Sequence, residues 1–324
     1  MLTQMNYLDV YLLCQTANNL LRGGFELLIN DFFEDLFAED QIPSRFSKES
    51  YLHSYCEWVV NQMIWDDTEN TADLIRKCAK MPRGSNWDGT LWVDRLLNQY
   101  QTNPDGKSDF FMFYGEELAH VEQLTDEEIN DYIYNYLCEL TLSGWYEECA
   151  KKLAREMFYL LFQNRDFLQV FNDLLARYHM IAHDKPEPHI SIPQWAKRAI
   201  WFRDRASCVF CGTDLSGIRN NLGDRAIHFD HMISLAAFGL NDVANLQLTC
   251  RECNLKKLSK SGTTNKYYQW YDMDEDFLVD YPELLLKKVT RLSNSKMSFS
   301  LDFRSPLWYV FVLQRRCGNG TDKH

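Results

Sequence analysis

Four of the ten cysteines in this 324-residue chain form two Cys-x-x-Cys pairs, Cys208 with Cys211 and Cys250 with Cys253. Each short turn directs both of its sulfurs towards one point, so four thiolates come within tetrahedral reach of a single metal ion. This spacing predicts a zinc site, and chance pairs or a redox site are the alternatives. Four cysteine ligands leave the ion no open coordination position, so the predicted zinc is structural and not catalytic. The long separation between the pairs indicates that a substantial segment folds between them.

A second group of polar residues lies between these pairs and directly after them. The segment 227–233 reads as a strand that contains the pair Asp230-His231, and Asn245 and Asn254 follow. Histidine is suited to taking a proton from water near neutral pH. Carboxylate and amide oxygens suit a hard divalent ion such as Mg²⁺. Phosphodiester hydrolysis needs both a base and positive charge near the phosphate, so these residue types indicate that chemistry.

This pattern resembles the HNH endonuclease family. In that family Asp-His is followed by Asn-Leu and then by Cys-x-x-Cys-Asn-x-x-Lys, and the corresponding residues here run from Asp230 to Lys257. The segment 196–204, which precedes Cys208, is also similar to the family, so the resemblance covers about residues 192–260. It implies a ββα-metal nuclease core with a structural four-cysteine zinc site. The expected fold class is a mainly α N-terminal domain followed by a small α+β C-terminal domain.

The resemblance also implies a role for each residue of the motif. His231 is expected to be the general base, and Asp230 a ligand of the catalytic metal ion. Asn254 is expected to be the second ligand of that ion. Asn245, the middle residue of the motif, is expected to hold the loop and orient His231. Lys257, about one helical turn after Asn254, is expected to contact phosphate.

Two residues depart from the family pattern. Ser234 stands where the family often has proline, and this change is expected to loosen the turn after His231. Asn254 stands in place of a histidine, and an amide ligand favours Mg²⁺ or Mn²⁺ over the transition metals that histidine binds. The expected cofactors are therefore one structural Zn²⁺ per chain and a catalytic Mg²⁺ or Mn²⁺.

The polar residues next to this motif have expected roles other than catalysis. His228 shares a strand face with Asp230 because side chains alternate along a strand, and we expect it to be structural or to support the metal ligands. Arg251, Lys256 and Lys260 form a basic face that suits DNA. For these three residues phosphate contact and simple solvation are equal alternatives, because phosphate contacts have no sequence signature.

The chain before this region has the periodicity of helices. Apolar residues recur at helical spacing from residue 8 to residue 36, with a break at Gly23-Gly24. Further helices are predicted at 49–64, 69–80, 90–101, 126–142, 146–163 and 165–182. Two prolines in the segment 183–189 end this pattern and predict an extended linker.

We therefore predict three parts. An acidic helical domain (1–186) has a regulatory or partner-binding role, and a nuclease module (187–262) follows it. A C-terminal extension (263–324) is expected to pack on the module, with a helix at 282–292 and a strand at 307–314.

Charge separates the two halves of the chain. Residues 1–190 contain 15 basic and 32 acidic side chains, a net charge of −17. Residues 191–324 contain 19 basic and 14 acidic side chains, a net charge of +5, so the whole chain carries −12. Only the second half is suited to a polyanion such as nucleic acid.

These observations predict a metal-dependent endonuclease that cuts DNA, with RNA a less favoured substrate. By analogy with other HNH modules joined to unrelated domains, the expected setting is bacterial antiviral defence, with the helical domain or a protein partner controlling the nuclease. One alternative is a restriction or homing nuclease whose helical domain reads sequence, and the charge of that domain argues against it. Another is a non-catalytic nucleic-acid-binding or interaction protein of the same fold. The complete set of Asp230, His231 and Asn254 argues against this second alternative.

The remaining features favour a cytoplasmic protein. The six cysteines outside the two pairs occur singly, and those in helical segments are expected to behave as small buried apolar residues with free thiols. No apolar run approaches the ~18 to 20 residues that a membrane helix needs. The first residues lack the basic region of a secretory signal. We therefore expect no membrane partner.

Overall fold

The computed structural model describes residues 7–23, 26–37, 46–66, 72–79, 91–100, 110–115, 117–216 and 227–263. The helix predicted at 282–292, the strand predicted at 307–314 and the rest of the predicted C-terminal extension beyond residue 263 lie outside these residues.

Most of the described chain is helical. The α-helices are α1 (Tyr7–Arg22), α2 (Glu26–Phe37), α3 (Tyr51–Asp66), α4 (Ala72–Ala79), α5 (Trp92–Gln99), α6 (Phe110–Phe113), α7 (Asp126–Ser143), α8 (Trp145–Gln163), α9 (Arg165–Ala182), α10 (Gln194–Arg203) and α11 (Arg251–Lys257). The six helices predicted between residues 49 and 182 correspond to α3, α4, α5, α7, α8 and α9. Within the described ranges, none of these helices is long and apolar enough to cross a membrane.

Local capping explains why several helix ends are predictable. Thr125 Oγ1 accepts a hydrogen bond from Glu128 N, and the Glu128 carboxylate accepts one from Thr125 N, which forms a capping box at the start of α7. Gly144 adopts a left-handed conformation (φ +77°) that ends α7 directly before α8. The Asn164 side chain accepts from Phe167 N at the start of α9.

A two-stranded antiparallel sheet lies near the C-terminal end of the described chain. Strand β1 (Ile227–His231) pairs with β2 (Leu246–Cys250), and Asp230 lies opposite Gln247. Helix α11 follows β2 directly and contacts both strands. The prediction of a mainly helical chain with a small sheet in this region is therefore confirmed.

One continuous apolar core connects the helices with this sheet. Tyr55, Phe33 and Phe171 are fully buried between α2, α3 and α9, and the ring centroids of Tyr55 and Phe171 are 5.4 Å apart. The same buried cluster includes Leu246 and Leu248 of β2. Burial of apolar area is the main favourable contribution to folding, so the helices and the sheet stabilise each other.

A buried ion pair attaches α10 to β2. Arg203 Nε lies 2.9 Å from Oδ1 of Asp204, and neither side chain is exposed. Arg203 also donates to the carbonyl of Leu246 at 2.6 Å, and Asp204 Oδ2 accepts from Leu248 N at 2.8 Å. Both charged side chains thus form hydrogen bonds with backbone groups of β2, and these bonds fix the position of the strand next to α10.

The described cysteines outside the two pairs fall into two groups. Cys14, Cys56 and Cys149 are buried and form no disulfide bond, as expected. Cys138 instead takes part in a disulfide bond, so the expectation of a free thiol is wrong for this residue.

Candidate active site

The four paired cysteines meet in one place. The Sγ atoms of Cys208, Cys211, Cys250 and Cys253 all lie within 4.8 Å of one another. The sulfurs of Cys211 and Cys250 are 3.8 Å apart. Four thiolates bound to a tetrahedral zinc ion at ~2.3 Å would be separated by about 3.8 Å. Among the described residues this cluster could hold a metal ion such as zinc, and its donor set fits that ion.

Local backbone geometry brings the two pairs to this position. Cys208 N donates to the carbonyl of Thr213 at 2.9 Å, and Gly212 closes the turn with a φ of +70° that glycine adopts without strain. Cys250 is both the last residue of β2 and the N-cap of α11, where its sulfur accepts from Cys253 N at 3.5 Å. A metal ion would therefore tie the turn at residues 208–213 to the junction of β2 and α11.

His231 is the last residue of β1 and is mostly buried. Burial lowers its pKa to about 4, and the charge of Asp230 and a contact with the Asn241 side chain oppose this effect only in part. Nε2 of His231 has no well-aligned hydrogen-bond partner among the described residues. The imidazole is therefore neutral near pH 7, which is the state in which a ring nitrogen can accept a proton.

Asn245 holds the loop between β1 and β2. Its side chain is fully buried, with Oδ1 accepting from Ile233 N and Nδ2 donating to the carbonyls of Ile233 and Leu240, each at 2.9 Å. Its own carbonyl accepts from Met232 N at 2.6 Å. These bonds all end on backbone atoms of the loop after His231. The Asn245 side chain is thus placed to position that loop and not to contact a substrate.

Gly239 and Ser234 also shape this loop. A Cβ atom at Gly239 would lie 2.1 Å from the carbonyl oxygen of Ile233 and 3.0 Å from Nδ2 of Asn245, so only glycine fits. The carbonyl of Ser234 accepts from Gly239 N at 3.0 Å, and its hydroxyl donates to the carbonyl of Ser259 at 2.9 Å. The hydroxyl of Ser234 attaches the turn to the segment after α11, and the expectation that serine in place of proline loosens the turn stays a prediction.

Asp230 is held from two sides. Its Oδ2 accepts from Gln247 Nε2 at 3.1 Å and lies 3.0 Å from Nζ of Lys257. Lys257 also donates to the carbonyl of His231 at 2.7 Å, and its side chain is only 5% exposed. Lys257 is thus bonded to two groups of β1, and its expected contact with phosphate stays a prediction. The ammonium group lies inside the site because the carboxylate of Asp230 and the strand-end carbonyl both attract it.

Asn254 faces β1 from α11, three residues before Lys257. Its Nδ2 lies 3.4 Å from Nδ1 of His228, which shares the β1 face of Asp230. Asn254 and Asp230 thus lie on the facing surfaces of α11 and β1. An amide oxygen and a carboxylate are the hard ligands that Mg²⁺ and Mn²⁺ prefer, so the donor set fits such an ion.

Comparison with known proteins agrees with this geometry. Residues 208–260 match the family model of HNH endonuclease. The chain carries an HNH domain. The matched segment contains the four clustered cysteines and the motif from Asp230 to Lys257, so the predicted resemblance is confirmed. An HNH domain indicates a nuclease of this family and implies nucleic-acid binding. No curated protein and no solved structure matches the chain.

Basic residues lie on the outer surface of the HNH domain. Arg251 and Lys256 on α11 and Lys260 in the turn after it are all exposed. These residues flank Lys257 in the sequence. Unlike the buried Lys257 they are exposed to solvent, where phosphate can reach them.

The helical part of the chain contacts the HNH domain at the loop that Asn245 holds. Hydrogen bonds from α3 and α9 end on residues between the two strands. They join Tyr51 N to Asp242 Oδ2 (3.1 Å), Asn172 Nδ2 to the carbonyl of Ala244 (3.1 Å), and His179 Nδ1 to the carbonyl of Phe238 (2.9 Å). Helices α3 and α9 therefore support the loop that follows His231.

Sequence reasoning missed several residues of this site. Gln247 could have been found from strand register, since it lies opposite Asp230. Glu187 and Asn241 are hydrogen-bonded although they are 54 residues apart in the sequence, and no sequence motif relates residues at this spacing. His179 is fully buried at the contact with the HNH domain, and its place at the end of a helical segment gives no sign of this contact in the sequence.

Proposed function

We propose that this protein is a metal-dependent HNH endonuclease that hydrolyses phosphodiester bonds of DNA. The observation that supports the proposal most strongly is the neutral, mostly buried His231 beside Asp230 at the end of β1, with α11 packed against the same strand. A base and two oxygen ligands, Asp230 and Asn254, lie together within the segment that matches the HNH family.

The proposed reaction uses these side chains as follows. Asp230 and Asn254 would hold a divalent ion, and a bound Mg²⁺ or Mn²⁺ would supply positive charge where the transition state gathers negative charge. His231 takes a proton from a water molecule while the water oxygen forms a bond to phosphorus. The bond between phosphorus and the leaving sugar oxygen breaks, and that oxygen takes a proton from solvent water. Asn245 keeps the loop in place so that His231 stays beside the phosphate.

Lys257 has a different role in this proposal from the one its position in the motif implied. Its ammonium group neutralises Asp230 and links α11 to the carbonyl of His231, which keeps the carboxylate oriented. Contact with DNA phosphates is proposed instead for the exposed Arg251, Lys256 and Lys260.

We propose that the ion held by the four cysteines is a structural Zn²⁺. A two-stranded sheet with one short helix buries too little apolar surface to be robust alone, and a metal ion supplies folding free energy in such small units. Four thiolates fill its coordination sphere, so it has no position for water or substrate.

The helical part is proposed to control the nuclease, in a cytoplasmic effector of bacterial defence. The net charge of −17 on residues 1–190 opposes the approach of DNA. Because the Debye length is ~8 Å at physiological salt, this charge acts only if the helices lie close to the bound DNA. Direct hydrogen bonds from α3 and α9 to residues 238–244 support close packing of the two parts. A partner that shields this negative charge would then favour DNA binding while α3 and α9 keep their hydrogen bonds to the loop.

A plasmid-nicking assay with the full-length protein tests the proposed activity. We expect nicking with Mg²⁺ or Mn²⁺, none with a chelator, and a loss of ~10² to 10⁴-fold in rate for His231→Ala, since that is the usual contribution of a general base. His120→Ala, at an exposed histidine of the helical part, is the matched control and should cut normally. Equal rates for His231→Ala and wild type would rule out His231 as the base. Binding of DNA without any cleavage would favour the non-catalytic alternative.

A further inference from the structure

Glu187 and Asn241 are joined by hydrogen bonds beside His231 of the candidate active site. Oε2 of Glu187 accepts from the backbone nitrogen of Asn241 at 2.6 Å and from its Nδ2 at 2.7 Å. The Nδ2 atom also donates to the carbonyl of Pro188 at 2.9 Å. Asn241 is only 8% exposed, so these bonds are shielded from water. Both hydrogens of the Asn241 amide are therefore used by the segment that precedes α10.

This contact determines which way the Asn241 amide points. If the amide were reversed, Oδ1 would face the carboxylate of Glu187 and the carbonyl of Pro188, and three oxygens would repel one another. The observed orientation directs Oδ1 away from Glu187. That Oδ1 is buried and accepts no well-aligned hydrogen bond within the described part of the chain.

The Asn241 side chain lies against the imidazole of His231. Nε2 of His231 is also buried without a hydrogen-bond partner among the described residues. A buried acceptor and a buried ring nitrogen, both unsatisfied, therefore belong to two side chains in contact. Leaving either of them unpaired in a buried position is unfavourable, so a hydrogen bond between them is favoured.

We propose that Glu187 and Asn241 are positioning residues for His231. His231 donates its Nε2–H to Oδ1 of Asn241, and Glu187 holds Asn241 in the orientation that accepts this bond. The neutral imidazole is then kept in one tautomer, in which Nδ1 carries the lone pair that takes the proton from water. The part of the proposal that concerns catalysis rests on the proposed function of His231 as the base.

In this arrangement the two asparagines, Asn241 and Asn245, have different structural roles. The side chain of Asn245 is fully engaged with backbone atoms and has no acceptor left for the imidazole. Asn245 thus fixes the path of the loop, and Asn241 fixes the ring of His231. A base oriented by a third group is the general arrangement of a catalytic triad, with the Glu187–Asn241 pair in the orienting position.

The tautomer can be measured without any nuclease activity. We would label the ring nitrogens of the histidines with ¹⁵N in the full-length, zinc-loaded protein and assign His231 as the signals that are missing from His231→Gln. A protonated and an unprotonated ring nitrogen have well-separated chemical shifts. We expect wild-type His231 to show a protonated Nε2 and an unprotonated Nδ1 at pH 7.5. A protonated Nδ1 in the wild type would overturn the proposal, whether or not the protein cuts DNA.

Variants test the role of each residue. Asn241→Ala and Glu187→Ala should give His231 signals of mixed tautomers, whereas Glu187→Gln should keep the wild-type signals because its amide oxygen can accept both bonds from Asn241. In the nicking assay the two alanine variants should lower kcat by about 10-fold or more with unchanged KM for DNA, and Glu187→Gln should restore most of it. Zinc content and melting temperature identify any variant that has lost its fold. Unchanged His231 signals in folded Asn241→Ala would overturn the proposal.

Discussion

Nζ of Lys257 lies 3.0 Å from Oδ2 of Asp230, and the two side chains are only 5% and 15% exposed. The pair joins α11 to the end of β1, since Lys257 also donates to the carbonyl of His231. A carboxylate in this position needs a neighbouring positive charge, and both a lysine and a divalent ion can provide it.

Replacing Lys257 by methionine should therefore destabilise the protein. Asp230 would lose its neutralising partner, and we expect the free energy of unfolding to fall by about 1 to 3 kcal/mol, the usual cost of a buried group without its partner. Added Mg²⁺ or Mn²⁺ should raise the melting temperature more in Lys257→Met than in wild type, because the ion replaces the missing charge.

The matched control for this prediction is Lys256→Met, at the exposed neighbouring position of α11. We expect its stability to lie within about 0.5 kcal/mol of wild type. Equal stabilities for Lys257→Met and Lys256→Met would show that the ion pair contributes nothing.

The cysteine cluster predicts tightly bound zinc. Purified protein should contain one equivalent of Zn²⁺ by metal analysis, and Cys250→Ser should lose it. We expect the region of β1, β2 and α11 to unfold in that variant while most of the helical circular dichroism signal remains, because most residues of the shared buried core belong to the helices before residue 183. Its melting temperature should still fall, since α3 and α9 lose their hydrogen bonds to the loop.

Cys317→Ser, outside both pairs, is the control and should retain zinc. Less than about half an equivalent of tightly held zinc in the wild type would contradict the prediction of a structural site.

Asp242 predicts a specific dependence of stability on pH. Burial raises the pKa of its carboxyl group to about 6, although hydrogen bonds from the backbone of Ala244 and Tyr51 oppose this effect. The folded protein thus keeps a proton on Asp242 where the unfolded chain has lost it. Relative to Asp242→Asn, which does not titrate, wild-type stability should fall by about 2 to 3 kcal/mol between pH 4 and pH 7 and then stay level.

Denaturant unfolding of both proteins across this pH range provides the measurement. Asp184→Asn, at an exposed aspartate, is the control and should follow the wild type at every pH. If the difference between wild type and Asp242→Asn is constant from pH 4 to pH 7, the carboxyl group does not titrate as described.

The proposed restraint by the acidic helices predicts a difference in DNA binding. The fragment 187–324 should bind plasmid DNA more tightly than the full chain at low salt, and the difference should narrow as salt rises, because non-specific binding is mostly electrostatic. Binding is the appropriate measurement, since the fragment also lacks the bonds from α3 and α9 that support the loop. A folded, zinc-loaded fragment that binds no more tightly than the full chain would leave only a scaffold role for the helices.

Much of this protein could be predicted from its sequence, because the determining interactions are local. Two Cys-x-x-Cys turns indicate the metal cluster, since each turn brings its own sulfurs together. Helix ends follow from nearby caps such as Thr125 with Glu128 and from the glycine at position 144. The pair Asp230-His231 and the later Asn254 are recognisable as a motif for the same reason: their spacing reflects the geometry of one strand, one loop and one short helix.

Only the tertiary structure decided how these residues are buried and what they contact. Lys257 looks like a surface lysine in the motif, yet packing of α11 on β1 removes it from water and pairs it with Asp230. Glu187 reaches Asn241 across 54 residues, and α9 reaches the loop before β2 from still further away. Such contacts depend on how separate elements pack around a shared core. Residue spacing along the chain does not encode that packing, since burial and desolvation arise only when distant segments come together.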